Sequence, residues 1–152
     1  LPSFVCLAFI CFNQCFLNDL GDQMKAAERR MKDISELQRQ IGTYGKTQAI
    51  YEQYRKLTGR KKEKFYEQHS SEITACQAAK RYFNSLGLKK LPSMQSLKQE
   101  YAVLQAEKKK RYPEYRQAKE KMIELLTAKN NVERILGATE KEKNRDRQQG
   151  SR

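Results

Sequence analysis

Apolar residues along the second half of the chain recur in alternating steps of three and four. Beginning at Met94 they fall on Leu97, Tyr101, Leu104, Lys108, Arg111, Tyr115, Ala118, Met122, Leu125, Lys129, Val132 and Leu136, and ten of the thirteen positions are apolar. A sustained spacing of 3.5 residues is the seam of a helix that lies against another helix with a left-handed supercoil. Residues 93–137 therefore predict one rod, about 65 Å long at ~1.5 Å per residue. Ser93, after Pro92, is a candidate N-cap, Ser96 with Gln99 offers a capping-box alternative, and Gly137 stands where a left-handed terminal residue would end the rod. The seam turns basic at Lys108 and Arg111, and Pro113 follows, so a kink between two apolar halves is expected there.

Upstream, Met24, Ala27, Met31, Ile34, Leu37 and Ile41 keep helical spacing and predict an amphipathic helix over 18–41. Gly42 and Gly45 are expected to interrupt it, each costing ~1 kcal/mol relative to alanine, before a short helix over 46–57. Thr58 and Gly59 would open a basic connection. Phe65, His69, Ile73, Cys76, Ala79, Phe83 and Leu86 then mark a helix ending in a glycine cap at Gly87, with Leu88 folding back on Phe83. The natural arrangement is an antiparallel hairpin of this helix with the rod. The fold class that follows is all-α, an elongated helical hairpin or coiled coil of three to four helices. Residues 138–152 lack an apolar period and predict a disordered tail.

Residues 1–17, LPSFVCLAFICFNQCFL, differ from the rest. The unbroken apolar run from Phe4 to Phe12 is half the ~20 residues that a membrane-spanning helix requires. It is read as a boundary artefact, from a reading frame entered upstream of its start or after a break, with a truncated membrane or export segment as the alternative.

Charge changes the picture more than length. The chain carries 31 Lys and Arg against 18 Asp and Glu, a net charge of +13. Leu, Ile, Val and Phe make up just under a fifth of it, a composition that would suggest disorder were it not for the heptads. An anionic partner is implied, most simply nucleic acid, because neutralising phosphates releases condensed counterions. The competing account is a solvated surface that keeps the protein from associating. The basic residues form clusters: Arg55 and Lys56, Arg60, Lys61, Lys62 and Lys64, Lys80 and Arg81, Lys89 and Lys90, and Lys108, Lys109, Lys110 and Arg111. If the hairpin forms, several could line one side and follow a phosphate backbone without reading sequence.

Nothing else in the chain suggests chemistry. His69, the one histidine, lies on an apolar face; Cys6, Cys11, Cys15 and Cys76 lack zinc spacing; and there is no phosphate-binding glycine loop. Eight tyrosines are read as packing residues. No metal or cofactor is expected, and a reducing compartment, the cytoplasm, is the expected location.

Three stretches carry a resemblance: SELQRQIGTYGKTQAIYEQYRK (35–56), AAKRYFNSLGLKKLPSMQSLKQEYAVLQAEKKK (78–110) and YRQAKEKMIELLTAKNNVERILG (115–137). They resemble the helical C-terminal region of relaxases, the mobilisation nucleases of conjugative and mobilisable elements in Gram-positive gut bacteria. The resemblance covers roughly residues 22–137. It implies a part in DNA transfer through contacts to DNA, to accessory mobilisation proteins or to the coupling machinery. Family catalysis resides in an N-terminal nuclease domain with a tyrosine and a metal-binding histidine cluster, which has no counterpart in this sequence, so no enzymatic activity is expected. Gly42, Gly45 and Pro113 depart from the uniform helix expected of the family. The rival expectation is a coiled-coil protein-interaction module, self-associating or otherwise, with no nucleic-acid role. No membrane partner is expected.

Overall fold

The computed structural model describes the backbone of residues 2–149, with side chains at all of those positions except 2, 3, 5 and 6. Leu1 and the last three residues of the expected tail lie outside the described residues, as does the side chain of Cys6. Among the described residues the protein is all-helical and has no strand. Three helices make it up: α1 (Pro2–Lys56), α2 (Gly59–Ser85) and α3 (Met94–Gln149).

The boundaries differ from the pattern in several places. α1 runs through residues 2–17 without a break in backbone, and also through Gly42 and Gly45. The penalty for two helical glycines, ~1 kcal/mol each, is offset by what lies beside them. Tyr44 meets Phe83 edge to face at 5.7 Å, and Thr47 is buried, its hydroxyl donating to the Thr43 carbonyl at 2.8 Å. The basic stretch from Arg60 to Lys64 belongs to α2 and is not a connection. α3 continues through Pro113 as the single rod that the seam predicts, but it does not end at Gly137, whose φ is not positive. The expected tail is helical as far as Gln149.

Two local expectations hold at atomic detail. The Ser93 hydroxyl oxygen accepts the Ser96 amide at 3.1 Å, so Ser93 caps α3. At the end of α2, Gly87 has φ +66°, its amide donates to the Asn84 carbonyl at 3.0 Å, and the Leu88 amide donates to Phe83 at 3.2 Å. A side chain at Gly87 would strain a left-handed residue by about 1–2 kcal/mol. Gly87→Ala is therefore expected to lower unfolding free energy by that amount in a denaturant titration.

The chain divides into two compact units, residues 27–106 and residues 1–26 with 107–152. In the first, α1 and α2 are antiparallel: Tyr54 stands 5.8 Å from Tyr66 near the start of α2, and Tyr44 meets Phe83 near its end. The core joins all three helices through Ile34, Leu37, Ala79, Phe83 and Leu97, with Ile41, Leu88, Leu91, Tyr101 and Leu104 packed around them. Full burial of such side chains stabilises by roughly 1.5–3 kcal/mol each. Leu97 of α3 packs in this core against residues of both α1 and α2. Arg30 donates from Nε and Nη2 to the two Glu100 carboxylate oxygens, at 2.6 and 3.1 Å.

That pair has a sign that can be tested. Its hydrogen bond from Arg30 holds the Glu100 carboxyl below the ordinary carboxylate range. A carboxylate with a lowered folded-state pKa stabilises the fold above its unfolded value, ~4.3, and loses that contribution as pH falls through the folded value. Both side chains remain over 40% exposed, so screening limits the effect to about 0.2–1 kcal/mol. Glu100→Gln is expected to lower the melting temperature slightly at pH 7, with the difference closing as pH drops below about 4.3.

In the other unit the buried apolar residues are Ile10, Leu20, Ala118 and Met122, and the Tyr115 ring lies 3.4 Å from where a β-carbon on Gly21 would stand. Phe4, Phe12, Ile123, Val132, Ile135 and Leu136 are each more than half exposed. Two helical segments cannot enclose a core by themselves, and this apolar surface is the consequence. Among the described residues, no helix is long and apolar enough to cross a membrane.

Candidate nucleic-acid interface

The turn between α1 and α2 is two residues long, Leu57 and Thr58. It brings Arg55 and Lys56, in the last turn of α1, around to Arg60, Lys61, Lys62 and Lys64 at the start of α2. All but Lys62 are exposed, and none of the five exposed cations is held by a carboxylate among the described residues. From position 53 through position 62 the chain has no acidic residue.

Local electrostatics do not favour this arrangement on the α2 side. The carbonyl end of a helix attracts cations, so Arg55 and Lys56 suit the end of α1. The amide end repels them, by about 0.3–1 kcal/mol each at low ionic strength. α2 nevertheless starts with Arg60, Lys61 and Lys62, has no acidic residue in its first turn, and lacks a side-chain cap from Thr58. For Arg60 and Lys61 this is a departure from helix preferences with no folding gain, the kind that accompanies a functional surface.

Two lysines have a structural place as well. The Lys62 ammonium sits 4.8 Å over the ring of Tyr54, and the Lys80 ammonium sits 4.3 Å over Tyr51 and 5.9 Å from Tyr44. Tyr51 and Tyr54 lie 6.4 Å apart, so rings and ammonium groups alternate along the seam between α1 and α2. The sequence-based reading put the tyrosines down to packing and missed this row. Its signal was the spacing of Tyr44, Tyr51 and Tyr54, seven and then three residues apart on one helix face.

Arg81, Lys89 and Lys90 do not join the turn. Arg81 is exposed on α2, and Lys89 and Lys90 follow the far end of that helix, roughly 40 Å from Arg60 at ~1.5 Å per residue. Lys90 borders an open groove of about 740 Å³ lined by Leu37, Leu86, Leu88, Leu91 and Leu97. Lys108, Lys109, Lys110 and Arg111 belong to the other unit, where Lys108 and Arg111 occupy the half-buried seam face and Arg111 stands 4.0 Å from Glu107. Within the unit of residues 27–106, the clusters thus fall at opposite ends of α2.

His69 lies where α2 departs from helical geometry, at φ −126° and ψ 24°. Its ring stacks at 4.5 Å on Phe65, and its Nδ1 is 3.6 Å from the Glu72 carboxylate, too far for a hydrogen bond. Burial, followed by the carboxylates of Glu36 and Asp33, pushes the Tyr82 phenol up, away from the phenolate a nucleophile would need. The two hydrogen bonds from Arg39, with one from Gln40, hold Glu36 down to about 2, so it is a fixed anion on the helix surface. Among the described residues no group of three His, Cys, Asp or Glu side chains is placed to hold a metal ion. No protein-family model matches the chain, and neither does any curated protein or solved structure.

Proposed function

We propose that this is a non-catalytic, all-helical nucleic-acid-contacting protein whose α1–α2 turn holds a phosphate backbone without reading base sequence. One observation carries the proposal: Arg55, Lys56, Arg60, Lys61 and Lys64 converge on one turn, exposed and unpaired with acids, and Arg60 and Lys61 stand at a helix start that disfavours them. Backbone amides at the start of α2 add donors that face the same anion. The resemblance of residues 22–137 to relaxase C-terminal regions supports DNA as the partner, and with it a part in the mobilisation of conjugative elements beside accessory mobilisation proteins in the cytoplasm. The test is the salt dependence of binding to a duplex of arbitrary sequence, with and without the basic turn.

A second reading has its own support. The exposed Ile123, Val132, Ile135 and Leu136 continue the apolar face of α3 and fit a helical protein partner or self-association. In that case the protein assembles without DNA, and a titration at low salt gives no DNA signal.

A further inference from the structure

We infer that the nucleic acid held at this turn is single-stranded DNA, with an unpaired base stacked on Tyr66 and its phosphates held on the side of Lys62. This rests on the reading of the turn as a nucleic-acid interface and goes further, because it names the form of the ligand.

Tyr66 is the exposed end of the ring row. It is 43% exposed, and its centroid is 5.8 Å from that of Tyr54, which carries the Lys62 ammonium 4.8 Å over its face. Lys62 precedes Tyr66 by four residues and so shares its helix face. The row continues inward through Tyr51 to Lys80, which ties the rings and cations to one another. Side chains fixed in this way lose little conformational freedom when a ligand arrives. Tyrosine adds a large flat surface at the cost of two rotatable bonds.

The ligand's form follows from which base faces are free. Inside a duplex each base is covered on both faces by its neighbours, so a ring at the protein surface gains nothing by approaching it. An unpaired base offers its face to any aromatic ring, whatever the sequence, while a basic groove holds the backbone. Glu63 and Glu67 stand close to Tyr66 in sequence and repel phosphates on their side. The strand therefore keeps to the side of Lys62, with Arg55, Lys56, Lys61 and Lys64 as the further cations of the turn.

The experiment uses the full chain and three probes: oligothymidylate, a duplex of equal length, and the same duplex in high salt. Tyr66→Leu, which keeps bulk and removes the flat ring, is expected to weaken oligothymidylate binding roughly 5- to 100-fold, with duplex binding unchanged. Tyr66→Phe retains the ring and is expected to bind both as the unaltered protein does. Circular dichroism of each variant checks that the helices persist, and the exposure of Tyr66 makes it dispensable to the core. Equal losses on both probes, or no loss on oligothymidylate, would overturn the stacking proposal. If the variant with Arg60, Lys61, Lys62 and Lys64 all replaced by Gln bound both probes normally, the underlying reading of the turn would fail instead.

Discussion

Phe83→Ala is expected to remove about 3–5 kcal/mol of folding free energy. Phe83 is only 6% exposed and stands where α1, α2 and the start of α3 meet. Its ring meets Tyr44 edge to face, and Leu88 folds back over it after the Gly87 turn. Removing it takes away transfer free energy and leaves a cavity whose walls belong to three helices, none of which can close in without moving the others. Domains of this size have roughly 5–15 kcal/mol of stability, so the variant would be near its unfolding midpoint under mild conditions. Chemical denaturation measures this directly, as a lower midpoint with an unchanged slope. Val103, 57% exposed on α3, is the control, and its truncation to alanine is expected to stay within about 0.5 kcal/mol.

The second large effect is on binding. Replacing Arg60, Lys61, Lys62 and Lys64 by Gln removes up to four phosphate contacts, and each contributes about 0.9 to the slope of log affinity against log salt on duplex DNA. The slope is expected to flatten by up to about 3.6, which corresponds to roughly 100-fold less sensitivity between ~50 and ~200 mM salt. Stability is expected to move the other way. Taking Arg60 and Lys61 off the amide end of α2 relieves about 0.3–1 kcal/mol each at low salt, which offsets the loss of the Lys62 contact with Tyr54, so the melting temperature holds or rises slightly. Opposite signs for binding and stability separate a functional cluster from a structural one, since lysines needed for the fold would lower both.

The buried face of the rod was legible in the sequence. From Leu97 to Lys129 every seam position is buried or half-buried, including the basic Lys108, Arg111 and Lys129. The Ser93 cap and the Gly87 turn were legible for the same reason, that each depends on residues within one helical turn. The continuity of α1 was not. Gly42 and Gly45 signal a break locally, and what overrides them, Phe83 against Tyr44, lies some forty residues away in the chain. Nor does a heptad name its partner: period fixes which side of α3 is covered, whereas Ile34, Leu37 and Arg30 of α1 share that role with α2 by tertiary packing.

The candidate site divides along the same line. Six basic residues within ten positions could be read as a cluster from order alone, because a two-residue turn keeps sequence neighbours together. Lys89 and Lys90 looked like its continuation and are not, since the length of α2 separates them from the turn. The row of Tyr44, Tyr51, Tyr54 and Tyr66 with Lys62 and Lys80 depends on the register of α1 against α2. No single-helix pattern contains that register.

The most direct test of the central claim is a fluorescence-anisotropy titration of a labelled DNA of arbitrary sequence with the full chain, repeated across salt concentrations. A linear, steep fall of log affinity with log salt, flattened by the Gln substitutions at Arg60, Lys61, Lys62 and Lys64, is the predicted result. Absence of binding at low salt, or binding that ignores both salt and those substitutions, would contradict it.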